Sequence, residues 1–124
     1  MSPRDTGFPA PVVDLIWTRD KGCCARCGRG LIRYRRGDDW AIHHRCPRGM
    51  GGAGTKDVAV NLASNGVVLC TTCHEWVEKE RKKARDQGWL VSRLTGTRPP
   101  REIAVPHAIY GLVRLADDGQ VEAA

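Results

Sequence analysis

Aromatic residues are scarce in this chain of 124 residues, where they make up 6% and include a single phenylalanine. Glycine and proline are plentiful, with 14 and 7 residues, so we expect much of the chain to be loop instead of packed helix or strand. A domain of this size buries an adequate core but not a generous one, and a bound metal would help to stabilise it.

Long apolar runs are also missing, because none reaches the roughly 18 residues that a membrane-spanning helix needs. The first residues, Met1 to Pro11, lack the basic-then-apolar pattern of a secretion signal. We therefore expect a cytoplasmic protein that has no membrane partner.

Positive charge is in excess, with a formal net charge of +6. The basic residues cluster between Arg19 and Arg48 and again between Lys79 and Arg85. Such clusters favour contact with the phosphates of a nucleic acid, although a merely solvated face is the alternative. The side chains predicted to make this contact are Arg45, Arg48, Arg81, Lys82 and Arg85.

Six cysteines are present, and four of them form two C-x-x-C pairs. In a cytoplasmic protein this pattern favours a metal over disulfide bonds, and two such pairs satisfy the tetrahedral geometry of structural zinc. A redox dithiol or ordinary buried cysteines are the alternatives. The predicted ligands are Cys24, Cys27, Cys70 and Cys73. Cys23 is adjacent and could replace Cys24, and we expect Cys46 to be a small core residue.

The apolar pattern predicts short elements that together make an α+β fold. We expect a helix around residues 12–17, strands at 40–44, 67–69, 89–91 and 110–115, and a helix over 73–87 that ends at Gly88. The predicted division is a disordered lead-in over 1–10, a domain over 11–91 and a C-terminal extension over 92–124. His107, in that extension, has no assigned role.

Three of the four histidines lie at the ends of predicted strands or helices, which we expect to come beside the zinc knuckles. His43 and His44 close a predicted strand, and His74 directly follows Cys73. A single histidine is more often a surface or core residue than a ligand. However, neighbouring strand residues point to opposite faces, so at a strand end one histidine can bind a metal while the next faces a substrate. An imidazole, with an ordinary pKa of about 6.5, also suits a general base.

These residues resemble the signature of the HNH endonucleases in its zinc-bearing form. The matching segment runs from His43-His44 through a glycine-rich loop to Asn65-Gly66-Val67-Val68-Leu69-Cys70-x-x-Cys73-His74. The preceding Arg19-Asp20-x-x-x-Cys24-x-x-Cys27-Gly28 resembles the opening of the family. One position departs from the pattern, because Gly66 stands where the family has leucine. The resemblance covers roughly residues 12–85 and is greatest to small HNH proteins of actinobacterial phages.

The resemblance implies a ββα-metal core clamped by the zinc site, with an N-terminal helix and a short C-terminal strand extension. It implies hydrolysis of DNA phosphodiester bonds. For a phage protein it further implies a role in genome packaging or replication, with terminase or portal proteins as partners. A non-catalytic zinc-knuckle module that binds nucleic acid and a nuclease of a restriction system are the alternatives.

The resemblance also implies roles for single residues. His43 and His74 would hold the catalytic cation, His44 would be the general base, and Asn65 would pin the loop and orient His44. Asn61 competes with Asn65, but the interval from Asn65 to His74 fits the signature better. The catalytic cation would be Mg²⁺ or Mn²⁺, and two histidine ligands also suit Zn²⁺ or Ni²⁺. Glu78, one turn after His74, is either a further ligand or a solvated acid.

Overall fold

The computed structural model describes residues 7–47, 61–92 and 98–124. Within these ranges the chain has the mixed α+β fold that the sequence predicts, and every helix in them is too short or too polar to cross a bilayer. The helices are α1 (Ala10–Arg19), α2 (Thr71–Lys79) and α3 (Arg81–Gln87), and the strands are β1 (Trp40–His44), β2 (Gly66–Cys70), β3 (Val105–His107), β4 (Gly111–Leu115) and β5 (Val121–Ala123).

The centre of the fold is an antiparallel pair of strands followed directly by a helix. β1 pairs with β2 so that Trp40 lies opposite Cys70 and His44 lies opposite Gly66. The predicted strand at 40–44 is confirmed, and the strand predicted at 67–69 is one residue longer at each end. Helix α2 begins immediately after β2, where the Cys70 sulfur accepts a hydrogen bond from the backbone N–H of Cys73. This order places the histidine pair at the end of β1 and His74 in the first turn of α2.

The single helix predicted over 73–87 is wrong, because two helices meet at Glu80, whose φ and ψ are −107° and 55°. Nothing in the apolar spacing signals this break. Helix α3 ends as predicted at Gly88, which has a φ of 94° and whose position would bring a Cβ to 2.2 Å from the carbonyl oxygen of Ala104. The strand predicted at 89–91 does not form, and these buried residues instead follow α3 as irregular backbone.

Two buried clusters lie on either side of β2. One contains Val67 and Leu69 with Val77 of α2, and the other contains Val68 with Ile16 of α1. Because both faces of β2 are covered, all five of its residues are buried, as in the central strand of a larger sheet.

The predicted lead-in and extension both contribute to these clusters. Residues 1–6 lie outside the described ranges, but Phe8 is buried in the α1 cluster and α1 already begins at Ala10, so residues 8 and 10 do not belong to a disordered lead-in. In the extension, β3, β4 and β5 form an antiparallel sheet. Its Val105, Val113 and Leu115 pack in the same cluster as Val67.

The departure at Gly66 has a steric reason. A Cβ at this position would lie 2.5 Å from Cδ1 of Ile16 and 2.8 Å from Cζ of Phe8, closer than carbon atoms can approach. A leucine at this position would therefore require the side chains of Ile16 and Phe8 to move. The space is taken by α1 and the segment before it.

Candidate functional site

The four predicted cysteine ligands come together where the loop after α1 meets the start of α2. All four sulfurs lie within 4.8 Å of one another, and the sulfurs of Cys27 and Cys70 are 3.8 Å apart. A tetrahedral zinc with bonds of about 2.3 Å requires sulfur separations of about 3.8 Å, so the cluster is compatible with a structural metal. The predicted cluster is confirmed with Cys24 as a member, and Cys23 is not part of it.

Both pairs have the same local geometry. In each, the first sulfur accepts the backbone N–H of the second cysteine at 3.5 Å, from Cys27 to Cys24 and from Cys73 to Cys70. The first pair is tied to the core because the N–H of Ala25 donates to the carbonyl of Val68 on β2 at 2.7 Å. The cluster therefore joins the loop after α1 to the end of β2.

Burial raises the pKa of the Cys24 and Cys73 thiols, since a thiolate away from water is costly. A divalent cation would reverse that cost by neutralising the thiolates. The chain already supplies one positive charge: the guanidinium of Arg26 donates to the Cys73 sulfur at 3.3 Å and lies 3.7 Å from the ring centre of Trp76. This stacking holds the guanidinium beside the cluster.

His43 of β1 and His74 of α2 meet edge to face, with ring centres 5.4 Å apart. His43 is only 5% exposed, and its Nε2 lies 2.8 Å from the carbonyl oxygen of Trp89. Because a carbonyl only accepts, Nε2 carries the proton, and Nδ1 is the nitrogen with a free lone pair. Burial lowers the pKa of His43 to about 4, although the hydrogen bond to Trp89 opposes the shift. The ring is therefore neutral at neutral pH, which is the form that binds metals.

His44 has two contacts that hold its ring. It stacks on Phe8 with ring centres 4.1 Å apart, and its Nε2 lies 3.2 Å from Oδ1 of Asn61. All three histidines of the signature line one cleft of about 310 Å³, together with Glu78 and Arg81. The cleft thus gathers three imidazoles, a carboxylate and a guanidinium, a set suited to binding a cation and a phosphate.

The two roles predicted for Asn65 fall to two different asparagines. The buried side chain of Asn65 accepts from the N–H of Cys46 at 2.7 Å and donates to the carbonyl of Cys46 at 3.0 Å. It thereby pins the backbone just after β1, as the resemblance implies. The side-chain contact with His44 is made by Asn61, the residue that the spacing ranked second.

The prediction that Arg45 contacts nucleic acid is wrong, because its side chain is fully buried. Its guanidinium donates to the carbonyls of Gly88, Ser64, Pro100 and Ile103 at 2.9, 2.9, 3.1 and 2.6 Å. Those carbonyls come from separate segments, so Arg45 joins the end of β1 to the surrounding chain. Of the other predicted contacts, Arg48 lies outside the described residues, and Arg81, Lys82 and Arg85 are exposed on α3.

A second buried charged group was missed by sequence reasoning. Asp20 accepts from Arg19 and from the Val68 N–H, and it lies 2.9 Å from Nε2 of His107. Burial alone would raise the pKa of Asp20, but Arg19 and the hydrogen bonds hold it below its usual value. The Ile109 N–H donates to Nδ1 of His107, so Nε2 of that ring carries the proton. His107 thus ties β3 to the end of α1, and the Arg-Asp pair of the opening motif was the available signal.

Comparison with protein-family models, with curated proteins and with solved structures yields no match for this chain.

Proposed function

We propose that the chain is a metal-dependent DNA endonuclease of the HNH type, built on a ββα-metal core. The observation that supports this most is the meeting of His43 and His74 in the cleft that His44 also lines. These residues are far apart in the sequence, and the order β1, β2, α2 brings them to one place. A module that only binds nucleic acid has no need of three gathered histidines.

The chemistry of the donors fits a divalent cation. His43 is neutral, and its Nε2–H is taken by the Trp89 carbonyl, an arrangement typical of metal-bound histidines. Together with His74 it offers two nitrogen ligands, and Glu78 on the next turn of α2 is our candidate third ligand. When bound, the cation supplies Lewis-acid stabilisation of the charge on the phosphate. Two nitrogens and a carboxylate suit Mn²⁺, Zn²⁺ or Ni²⁺ as well as Mg²⁺.

In this proposal His44 is the general base. If its Nε2–H donates to the Asn61 oxygen, Nδ1 is the basic nitrogen and takes a proton from the attacking water. Stacking on Phe8 restricts rotation of the ring, so the base is already oriented before the substrate binds. Asn65 acts one step away by fixing the backbone that carries His44.

The four-cysteine cluster has a structural role in the same proposal, with zinc as its metal. Four thiolate ligands complete the tetrahedral shell and leave no position for water or substrate. By joining the loop after α1 to the start of α2, the zinc fixes Cys73 and hence the neighbouring His74.

Cleavage of supercoiled plasmid in the presence of Mg²⁺, Mn²⁺, Zn²⁺ or Ni²⁺ tests the proposal. We expect His44→Ala to lower the rate by about 10²–10⁴-fold, the usual contribution of a general base. Glu75→Gln is the matched control, because Glu75 is exposed on the same helix as His74 and lies outside the cleft lining. A cutting rate in His44→Ala close to that of the wild type would refute the assigned base.

Metal analysis supplies an independent measurement. We expect one tightly held zinc that Cys70→Ser releases, and a second exchangeable metal that His74→Ala loses while it keeps the zinc. Wild-type protein that binds DNA but never cuts it would favour the zinc-knuckle alternative. Cleavage restricted to methylated DNA would favour the restriction enzyme.

A further inference from the structure

The basic side chains of α3 are not equivalent. Arg81, Lys82 and Lys83 each have an acidic partner nearby, namely Glu78, Asp86 and Glu80, at 3.1, 3.2 and 4.0 Å. Arg85 is exposed and has no acidic partner among the residues that the structure describes. Of the four basic side chains of α3, Arg85 is therefore the one whose charge can bind an external anion without first giving up an acidic partner.

Two adjoining clefts run past this helix. The cleft that contains His43, His44 and His74, which we call the histidine cleft, is also lined by Arg81, Pro47 and Leu90. These last three residues also line a second cleft of about 230 Å³. Arg85 lines the second cleft, and neither cleft is lined by Lys82 or Lys83. The clefts therefore form one groove that leads from His43 and His74 to Arg85.

We infer that this groove, which we call the α3 groove, holds the sugar-phosphate backbone of the DNA strand next to the cleaved bond. Arg81 and Arg85 are separated by one helical turn, about 5–6 Å between Cβ atoms, and a DNA strand advances about 3.4 Å per nucleotide along the axis. The two guanidiniums thus match phosphates one or two nucleotides apart. Pro47, Leu90 and Val91 supply an apolar wall for the sugars. This inference rests on the proposed function.

The same placement changes the set of predicted contacts. Lys82 was predicted from its charge to bind nucleic acid, but it pairs with Asp86 and lies outside both clefts. The α3 groove therefore assigns binding to two of the four basic residues of α3. Arg81 exchanges Glu78 for a phosphate when the strand binds, which frees that carboxylate for the cation.

The test is the salt dependence of binding to a short fluorescent DNA duplex, measured by anisotropy in Ca²⁺. Each lost phosphate contact reduces the slope of log K against log salt by about 0.9. We expect Arg81→Gln and Arg85→Gln each to show this reduction. Lys82→Gln and Lys83→Gln are the matched controls, since each removes one charge from the same helix. Equal effects of all four variants, no effect of the arginine variants, or no binding by the wild type would overturn the inference.

Binding is measured without cleavage, so this result is separable from that of the proposed function. Repeating the titrations on His74→Ala keeps the α3 groove and removes a cation ligand. If the arginine variants alter the slope while no form of the protein cuts DNA, the endonuclease proposal fails and the groove stands. If cutting depends on His44 while the arginine variants leave the salt slope unchanged, the α3 groove is refuted and the endonuclease proposal stands.

Discussion

Replacing Arg45 with methionine has two opposing effects on the free energy of unfolding. Arg45 carries its charge into the interior with four carbonyl partners and no acidic partner among the described side chains. Burying a charge costs several kcal/mol, so an apolar side chain of similar length recovers part of that cost. The same replacement leaves four carbonyls without their donor, of which those of Gly88 and Ser64 are buried and those of Pro100 and Ile103 are partly buried.

The carbonyls decide whether Arg45→Met raises or lowers the free energy of unfolding. Each buried acceptor that loses its donor costs about 1–3 kcal/mol, and bonds from a charged donor lie at the upper end. The two buried losses at Gly88 and Ser64, with smaller losses at the two partly buried carbonyls, outweigh the recovered desolvation, and we expect a net loss of about 3 kcal/mol in the free energy of unfolding. The Ser64 and Gly88 carbonyls belong to the turn before β2 and the end of α3, so both elements should loosen around the histidine cleft.

Urea denaturation in buffer with added zinc measures this change in the free energy of unfolding. With a slope of about 1–3 kcal/mol per molar urea, Arg45→Met should lower the midpoint by about 1–3 M. Arg35→Met is the control, because Arg35 is exposed and its ion pair with Asp39 is screened by solvent, so its midpoint should barely move. An unchanged or higher midpoint for Arg45→Met would refute the reasoning. The slope of DNA binding against salt should be the same in Arg45→Met and the wild type, since Arg45 reaches no phosphate.

Two further predictions concern buried ionisable groups. Asp20→Asn should destabilise the fold by about 3–5 kcal/mol, because it leaves the Arg19 charge buried without its partner. His107→Gln should cost less, because glutamine keeps a donor for Asp20. Equal urea midpoints for the wild type and both variants would contradict this. His43 has a folded pKa of about 4, below its ordinary value, so the unfolded chain binds the proton more tightly and stability should fall as the pH drops from about 6.5 to 4, by an amount on the order of 3 kcal/mol. His43→Gln should lack this loss, and comparing its urea midpoints with those of the wild type cancels the acid sensitivity of the cysteine cluster.

Features set by neighbouring residues were open to prediction. The spacing within each C-x-x-C pair, the run Trp40–His44 and Gly88 at the end of α3 depend on local geometry, and the structure has all three where they were expected. The interval to His74 ranked Asn65 above Asn61, but it could not show which of the two asparagines contacts His44, since both lie in the segment that returns the chain to β2. Which one contacts His44 depends on the path of that segment across the end of β1.

The sequence by itself indicated the two C-x-x-C pairs that cluster and the order of strand, strand and helix, because cysteine spacing and apolar patterns depend on residues close together along the chain. Only the tertiary structure decided which charges are buried. Arg45 and His107 look like ordinary polar residues in the sequence, and their roles arise from Ser64, Gly88 and Asp20, which reach them only after folding. A guanidinium binds phosphate or backbone carbonyls with the same donors, and the choice between them depends on which acceptors the fold places around it.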